Sequence, residues 1–182
     1  MHSYVRALRW SLPALLMALL IPAVAHGQDA DAMIASAVSA APGSVSDDAR
    51  VIDWEMNELR AGTNGWTCLP DDESVLGNAP WCVDGPWLNF LHAIMNNAEP
   101  TYDEVGIAYM LMGDSPICNS DPALTEEECG DDWVADLGAH MMLLMPDLSD
   151  LEGITADHMN GGHWVMWPGT PYAHLKIPID SR

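Results

Sequence analysis

The sequence has 182 residues, and its 27 Asp and Glu residues against 6 Lys and Arg residues give a formal net charge of −21 at pH 7. This length suits one domain with one hydrophobic core. The negative charge repels phosphate backbones and anionic lipid surfaces, so nucleic acids and membrane surfaces are disfavoured as partners.

The N-terminus predicts export. Two arginines precede an apolar run over residues 12–24, and small-x-small cleavage patterns end at Ala25 and Gly27. The alternative is a membrane anchor, but the run is shorter than the roughly 20 residues that a bilayer span needs. We therefore predict a signal peptide over residues 1–27 and a periplasmic or secreted protein with no membrane partner after cleavage.

The next segment, residues 28–46, is small and rich in Ala, which predicts a flexible linker or a frayed helix. A single globular domain is then predicted over residues 47–182. A helix is predicted at its start, because Ser46 is an N-cap candidate and apolar residues recur at helical spacing from Ala49 to Leu59.

A second helix is predicted from Asp84-Gly85-Pro86 to Asn96, since proline in the first turn and an apolar face from Trp87 to Met95 are typical of a helix.

After Pro100 the apolar stretches shorten to strand length between Gly, Pro and Asp residues. A short helix is predicted near residues 148–154. The predicted strands are 105–112, 140–145, 164–167 and 175–179.

Because the predicted helices precede the predicted strands, the expected fold class is α+β. We expect two or three N-terminal helices packed on a small, mainly antiparallel sheet with disulfide bonds.

The four cysteines predict two disulfides, because an exported chain meets an oxidising compartment. The segments Cys68–Cys82 and Cys118–Cys129 have loop-like compositions, so we predict pairing within each segment. The alternative is a metal-thiolate site, but no Cys-x-x-Cys spacing is present.

The most distinctive local sequence is segment 161–175, which reads GGHWVMWPGTPYAHL. Together with GIAYMLMGD at 106–114, NSDP at 119–122 and GAHMM at 138–142, it resembles a family of exported bacterial proteins whose function is itself uncharacterised. The resemblance covers roughly residues 102–178 and implies no function. The family carries a serine where Cys118 stands, which implies that the Cys118–Cys129 bridge is an accessory of this protein. It also carries a proline where Ala139 stands and a methionine where Lys176 stands.

Common enzyme signatures are absent from the sequence. It contains no Gly-x-Ser-x-Gly elbow, His-Glu-x-x-His helix, phosphate-binding Gly-rich loop or Cys-x-x-Cys-His haem site. A calcium loop over residues 121–132 is disfavoured because the alternating Asp pattern is missing. The sequence therefore identifies no catalytic residue and no cofactor.

Histidines at predicted strand ends are the remaining candidates for a site. Imidazole near Met141, Met142, Met159 and Met166 would suit copper, whereas a buried structural role is the alternative interpretation of the same residues. The candidate ligand-binding residues are Asp114, His140, His163, Thr170, Tyr172 and His174.

Two functions remain open. The first is a non-enzymatic exported domain that binds a small molecule, a metal or a protein partner near His140, Asp114 and the turn from Gly169 to His174. The alternative is a metal-dependent enzyme that uses His140, His163 or His174. Three such side chains converging around an open position would favour the enzyme.

Overall fold

The computed structural model of the protein describes residues 25–179, so most of the predicted signal peptide lies outside the described residues. The helices are α1 (Ala25–Val38), α2 (Gly43–Ser46), α3 (Gly85–Met95) and α4 (Glu126–Cys129). The strands are β1 (Arg50–Ile52), β2 (Glu58–Arg60), β3 (Thr67–Leu69), β4 (Trp81–Val83), β5 (Gly106–Met110), β6 (Ile117–Cys118), β7 (Trp133–Val134), β8 (His140–Leu144), β9 (Trp164–Met166) and β10 (His174–Pro178). Short 3₁₀ turns cover Gly130–Asp132 and Leu148–Leu151.

Eight strands form one mixed sheet in the order β2-β1-β3-β4-β5-β8-β10-β9. The pair β1–β3 is parallel, and the other neighbouring pairs are antiparallel. The strands β6 and β7 form a separate antiparallel pair. The sheet therefore dominates the architecture.

The expected fold class, with N-terminal helices packed on a small sheet, is wrong. The sheet is large and mixed, and the four short helices are distributed along the chain: α3 lies between β4 and β5, and α4 lies between β6 and β7.

The helix predicted after Ser46 is a pair of antiparallel strands, β1 and β2, joined by a turn. The Asp53 carboxylate accepts hydrogen bonds from the backbone N–H and side-chain amide of Asn57, and Met56 takes φ 68°. A short polar side chain that binds nearby backbone competes with helix formation, and here this local turn outweighs the helical spacing of the apolar residues.

The helix α3 and the strands β5, β8, β9 and β10 lie where the sequence predicts them. The Asp84 carboxylate caps α3 by accepting from the Trp87 backbone N–H, and its other oxygen accepts from Ile107 N in β5. Burial raises the pKa of Asp84, while these backbone donors act in the opposite direction. At Gly106 an added Cβ would lie 3.0 Å from Trp87 Cδ1, so α3 rests directly on β5.

Apolar residues cover both faces of the sheet. Trp87 and Phe90 of α3 pack on one face with Met142 and Leu144 of β8. On the other face Ala37, at the end of α1, packs with two cysteines, Cys68 and Cys82. The segment 28–46, predicted as a flexible linker or frayed helix, contains most of α1 and all of α2 in the structure.

Both predicted disulfides are confirmed. Cys68 and Cys82 are directly opposite each other on the antiparallel strands β3 and β4. Cys118 of β6 is bonded to Cys129 at the end of α4. These bridges are compatible with an oxidising, exported environment. Between residues 25 and 179, no helix is both long and apolar enough to cross a bilayer.

Candidate functional site

Three ionisable side chains meet on the α3 face of the sheet. His140 begins β8, Lys176 lies in the middle of β10, and Asp114 lies in the loop after β5. In β10 the buried residues alternate, so His174 and Lys176 point to the same face. Strand pairing places Lys176 beside both Met142 and Trp164.

We call Asp114, His140 and Lys176 the Lys176 triad. Lys176 Nζ donates to Asp114 Oδ2 at 2.6 Å and lies 3.2 Å from His140 Nε2. Asp114 Oδ2 and His140 Nε2 are 3.6 Å apart. His140 Nδ1 lies 2.8 Å from the Gly138 carbonyl oxygen, which can only accept, so Nδ1 carries the proton and Nε2 accepts from Lys176.

The triad is enclosed by the protein. The exposed fraction of the side chain is 0% for His140, 2% for Lys176 and 9% for Asp114. Removing charges from water is costly, and the mutual attraction of a buried ion pair often only offsets this cost. A stabilising contribution is therefore not a sufficient account of why Lys176 occupies this position.

His174 lies next to the triad inside a cage of aromatic rings. Its ring centroid is 4.9 Å from that of Trp167, 5.2 Å from that of Trp87 and 5.9 Å from that of Phe90, all in edge-to-face orientations. His174 Nδ1 donates to the Tyr172 carbonyl oxygen at 3.0 Å. Burial and the nearby Lys176 charge lower the pKa of His174 to about 3, so its ring is neutral at physiological pH.

The structure brings together only some of the predicted site residues. Asp114 and His140 are in contact through the triad, and His174 lies two residues before Lys176 in β10. His163 is exposed. The turn residues Thr170 and Tyr172 bind backbone instead, because Thr170 Oγ1 donates to the Trp167 carbonyl and Tyr172 Oη donates to the Ala98 carbonyl.

Lys176 is the residue that the sequence reasoning missed. Its signal is a single lysine within an otherwise apolar strand, two residues after a histidine. A lysine at an inward position of a strand is rare unless it is paired.

His140, His163 and His174 do not converge on a metal position. Within the triad the Lys176 ammonium contacts both the Asp114 and the His140 ligand atoms, at 2.6 and 3.2 Å. Among the described residues, no group of three or more His, Cys, Asp and Glu side chains is placed to hold a metal ion. The geometry that would favour the metal-dependent enzyme is therefore not formed by His140, His163 and His174.

A cleft of about 680 Å³ opens elsewhere, between α1, the turn after β1 and the loop after β3. Its wall combines apolar and acidic side chains. Asp72 accepts hydrogen bonds from the Ser74 hydroxyl and backbone N–H, which lower the pKa of its carboxyl group. The residues that define this acidic cleft are Asp29, Met33, Trp54, Glu55, Asp72 and Glu73.

The chain matches no protein-family model, no curated protein and no solved structure. The function of this chain is therefore inferred from the chemistry of the acidic cleft and of the triad.

Most carboxylates of the described chain have no basic partner. Arg50 pairs with Glu58 and Lys176 with Asp114, while the Arg60 guanidinium donates to the carbonyl oxygens of Ser46 and Ala49. The remaining acidic groups repel one another in the folded state.

We expect sodium chloride to raise the thermal midpoint by a few degrees, because salt screens exposed charges over about 10 Å at 0.1 M. Differential scanning calorimetry from low to moderate salt measures this effect. A flat or falling midpoint would contradict it and would indicate that a specific cation already neutralises the acidic surface.

Proposed function

We propose that the protein is a non-enzymatic exported domain that binds a small organic cation in the acidic cleft. The observation that carries this proposal is the combination of an indole wall and several carboxylates around one concavity. A volume of about 680 Å³ falls in the range of clefts that bind small molecules.

The indole of Trp54 supplies the apolar contact. Its Nε1–H donates to the Pro70 carbonyl oxygen at 3.0 Å, which fixes the orientation of the half-buried ring. A cation against an indole face gains electrostatic attraction, and Met33 adds apolar contact beside it. An amine with an apolar body fits such a wall better than an inorganic ion does.

The carboxylates supply the charge. Asp29, Glu55 and Glu73 are exposed at the cleft, and the lowered pKa of Asp72 keeps that group ionised well below neutral pH. Their combined field attracts cations and repels anionic ligands.

A non-enzymatic role is favoured because the acid–base groups are engaged elsewhere. Asp114, His140 and Lys176 bind one another in the core, and none of them lines the acidic cleft. A metal-dependent enzyme built on His140, His163 or His174 finds less support, since His163 is exposed and the Lys176 ammonium contacts His140 Nε2 and Asp114 Oδ2. Export remains part of the proposal and rests on the N-terminal sequence and the two disulfides.

Isothermal titration with benzyltrimethylammonium, compared with its neutral tert-butyl isostere, tests the proposal. We expect the cation to bind and the isostere to bind at least about tenfold more weakly, with Trp54→Ala weakening cation binding by about tenfold as well. Glu73→Gln should weaken binding, whereas Glu99→Gln, an exposed acid in a different cleft, should not. Equal affinity for the two compounds, or an equal effect of Glu99→Gln, would refute the proposed cation site.

A further inference from the structure

The Lys176 triad places an amine, a carboxyl group and an imidazole in mutual contact inside the core. Lys176 Nζ is 2.6 Å from Asp114 Oδ2. The two residues are 62 positions apart in the sequence, and they meet only because β5 and β10 both flank β8. Folding therefore places the Lys176 amine, a potential nucleophile, next to the Asp114 carboxyl group.

We propose that Lys176 and Asp114 condense in the folded protein to form an intramolecular isopeptide bond, with His140 transferring the protons. The Lys176 Nζ to Asp114 Cγ bond forms and one Cγ–O bond breaks. An ammonium and a carboxylate give one amide and one water, so the step needs no oxidant, reductant or activating co-reactant. Two protons of the ammonium leave with the departing oxygen, and the third stays on the amide nitrogen.

His140 is positioned for this transfer. The bond from Nδ1 to the Gly138 carbonyl leaves the Nε2 lone pair directed at Lys176 Nζ, 3.2 Å away. Nε2 can take a proton from the ammonium, which makes the amine nucleophilic. The same atom lies 3.6 Å from Asp114 Oδ2 and can return the proton to the leaving oxygen.

The other oxygen of Asp114 is held by a backbone donor. Ser115 N donates to Asp114 Oδ1 at 2.8 Å. When the amine attacks Cγ, negative charge develops on the oxygen that remains, and a fixed N–H stabilises such a charge. The two oxygens thus have separate roles: Oδ1 stays and Oδ2 leaves.

Burial favours the product. The ion pair bears the cost of two charges removed from water, and a neutral amide removes that cost. Lys176 lies between Met142 and Trp164 on the neighbouring strands, so water has little access to hydrolyse the bond. The new bond would link the loop after β5 covalently to β10, as a third cross-link besides the two disulfides.

Tryptic mapping of the reduced and alkylated protein tests the proposal. Trypsin cleaves after Arg60 and after an unmodified Lys176, which would give peptides 61–176 and 177–182 with their full masses. Acylated Lys176 resists cleavage, so we expect a single species spanning 61–182 that is lighter by one water. In Lys176→Met the peptide 61–182 should have the mass calculated from its sequence, with no water lost.

His140→Gln tests the role of the imidazole. Gln cannot transfer a proton, so we expect cross-link formation in newly synthesised, newly folded chains to be slower by about a hundredfold or more. The near-ultraviolet circular dichroism of this variant verifies its fold. A rate equal to that of the native protein would overturn the role assigned to His140.

Normal cleavage at Lys176 in native protein that has folded and has then been reduced and alkylated overturns the isopeptide itself. So does loss of one water with cleavage at Lys176 retained, because that result would place the dehydration at another residue. The native protein alone decides the question, whatever the stability of the variants.

Discussion

Replacing Gly62 by alanine should lower the free energy of unfolding by about 3 kcal/mol or more. An added Cβ would lie 2.0 Å from the backbone nitrogen of Arg50 and 2.5 Å from the carbonyl carbon of Ala49. Both are main-chain atoms, and Arg50 is fixed by the pairing of β1 with β3. Rotation of a side chain cannot relieve the clash, so the strands must separate.

Gly85→Ala is the matched control. A Cβ at Gly85 meets no atom within 4 Å, and the residue is at the first position of α3, where alanine is compatible with a helix. Urea unfolding of both variants measures the difference. Equal midpoints for the two variants would show that β1 and the chain after β2 can move apart at little cost.

The C-terminal strands could be predicted because each apolar run is bounded by residues that end it. The run over 140–145 ends at Pro146, and the run over 164–167 ends at Pro168 and Gly169. The corresponding strands, β8 and β9, follow these limits closely. The helix α3 was predictable for a similar reason, since its proline and its N-cap carboxylate are adjacent in sequence.

The N-terminal half of the sheet could not be predicted in the same way. Each of the strands β1 to β4 has three residues, which is too short to display a period of two. Their stability comes from pairing with other strands and, for β3 and β4, also from the Cys68–Cys82 bridge. The apolar residues from Ala49 to Leu59 recur at helical spacing, but this segment forms strands and a turn and not a helix.

The candidate site was predictable in its parts but not in its arrangement. Asp114 and His140 were identified from their positions at strand ends, yet their contact depends on Lys176, which reaches them from β10. Which residues of β8 and β10 share one face follows from the register, and register is set by long-range pairing. The acidic cleft also joins segments far apart in the chain, so no local motif marks it.

Acid should destabilise the protein through His174. Its pKa is about 3 in the folded state and 6.5 in the unfolded chain, so the unfolded state binds more protons between these values. The contribution of His174 to the free energy of unfolding is therefore fully present above pH 6.5 and is lost as the pH falls towards 3. Between pH 7 and pH 5 we expect this histidine to lower the free energy of unfolding by about 2 kcal/mol.

His174→Phe keeps an aromatic ring in the cage of Trp87, Phe90 and Trp167 and removes the titrating group. The cost of losing the bond to Tyr172 is the same at every pH, so it does not alter the slope. Urea unfolding at pH 7, 6 and 5 should give a curve that is flatter than the native one by about 2 kcal/mol in total. His163→Phe, at an exposed histidine, should keep the native slope. Parallel curves for the native protein and His174→Phe would mean that His174 gains a proton in the folded state and that its cage admits water.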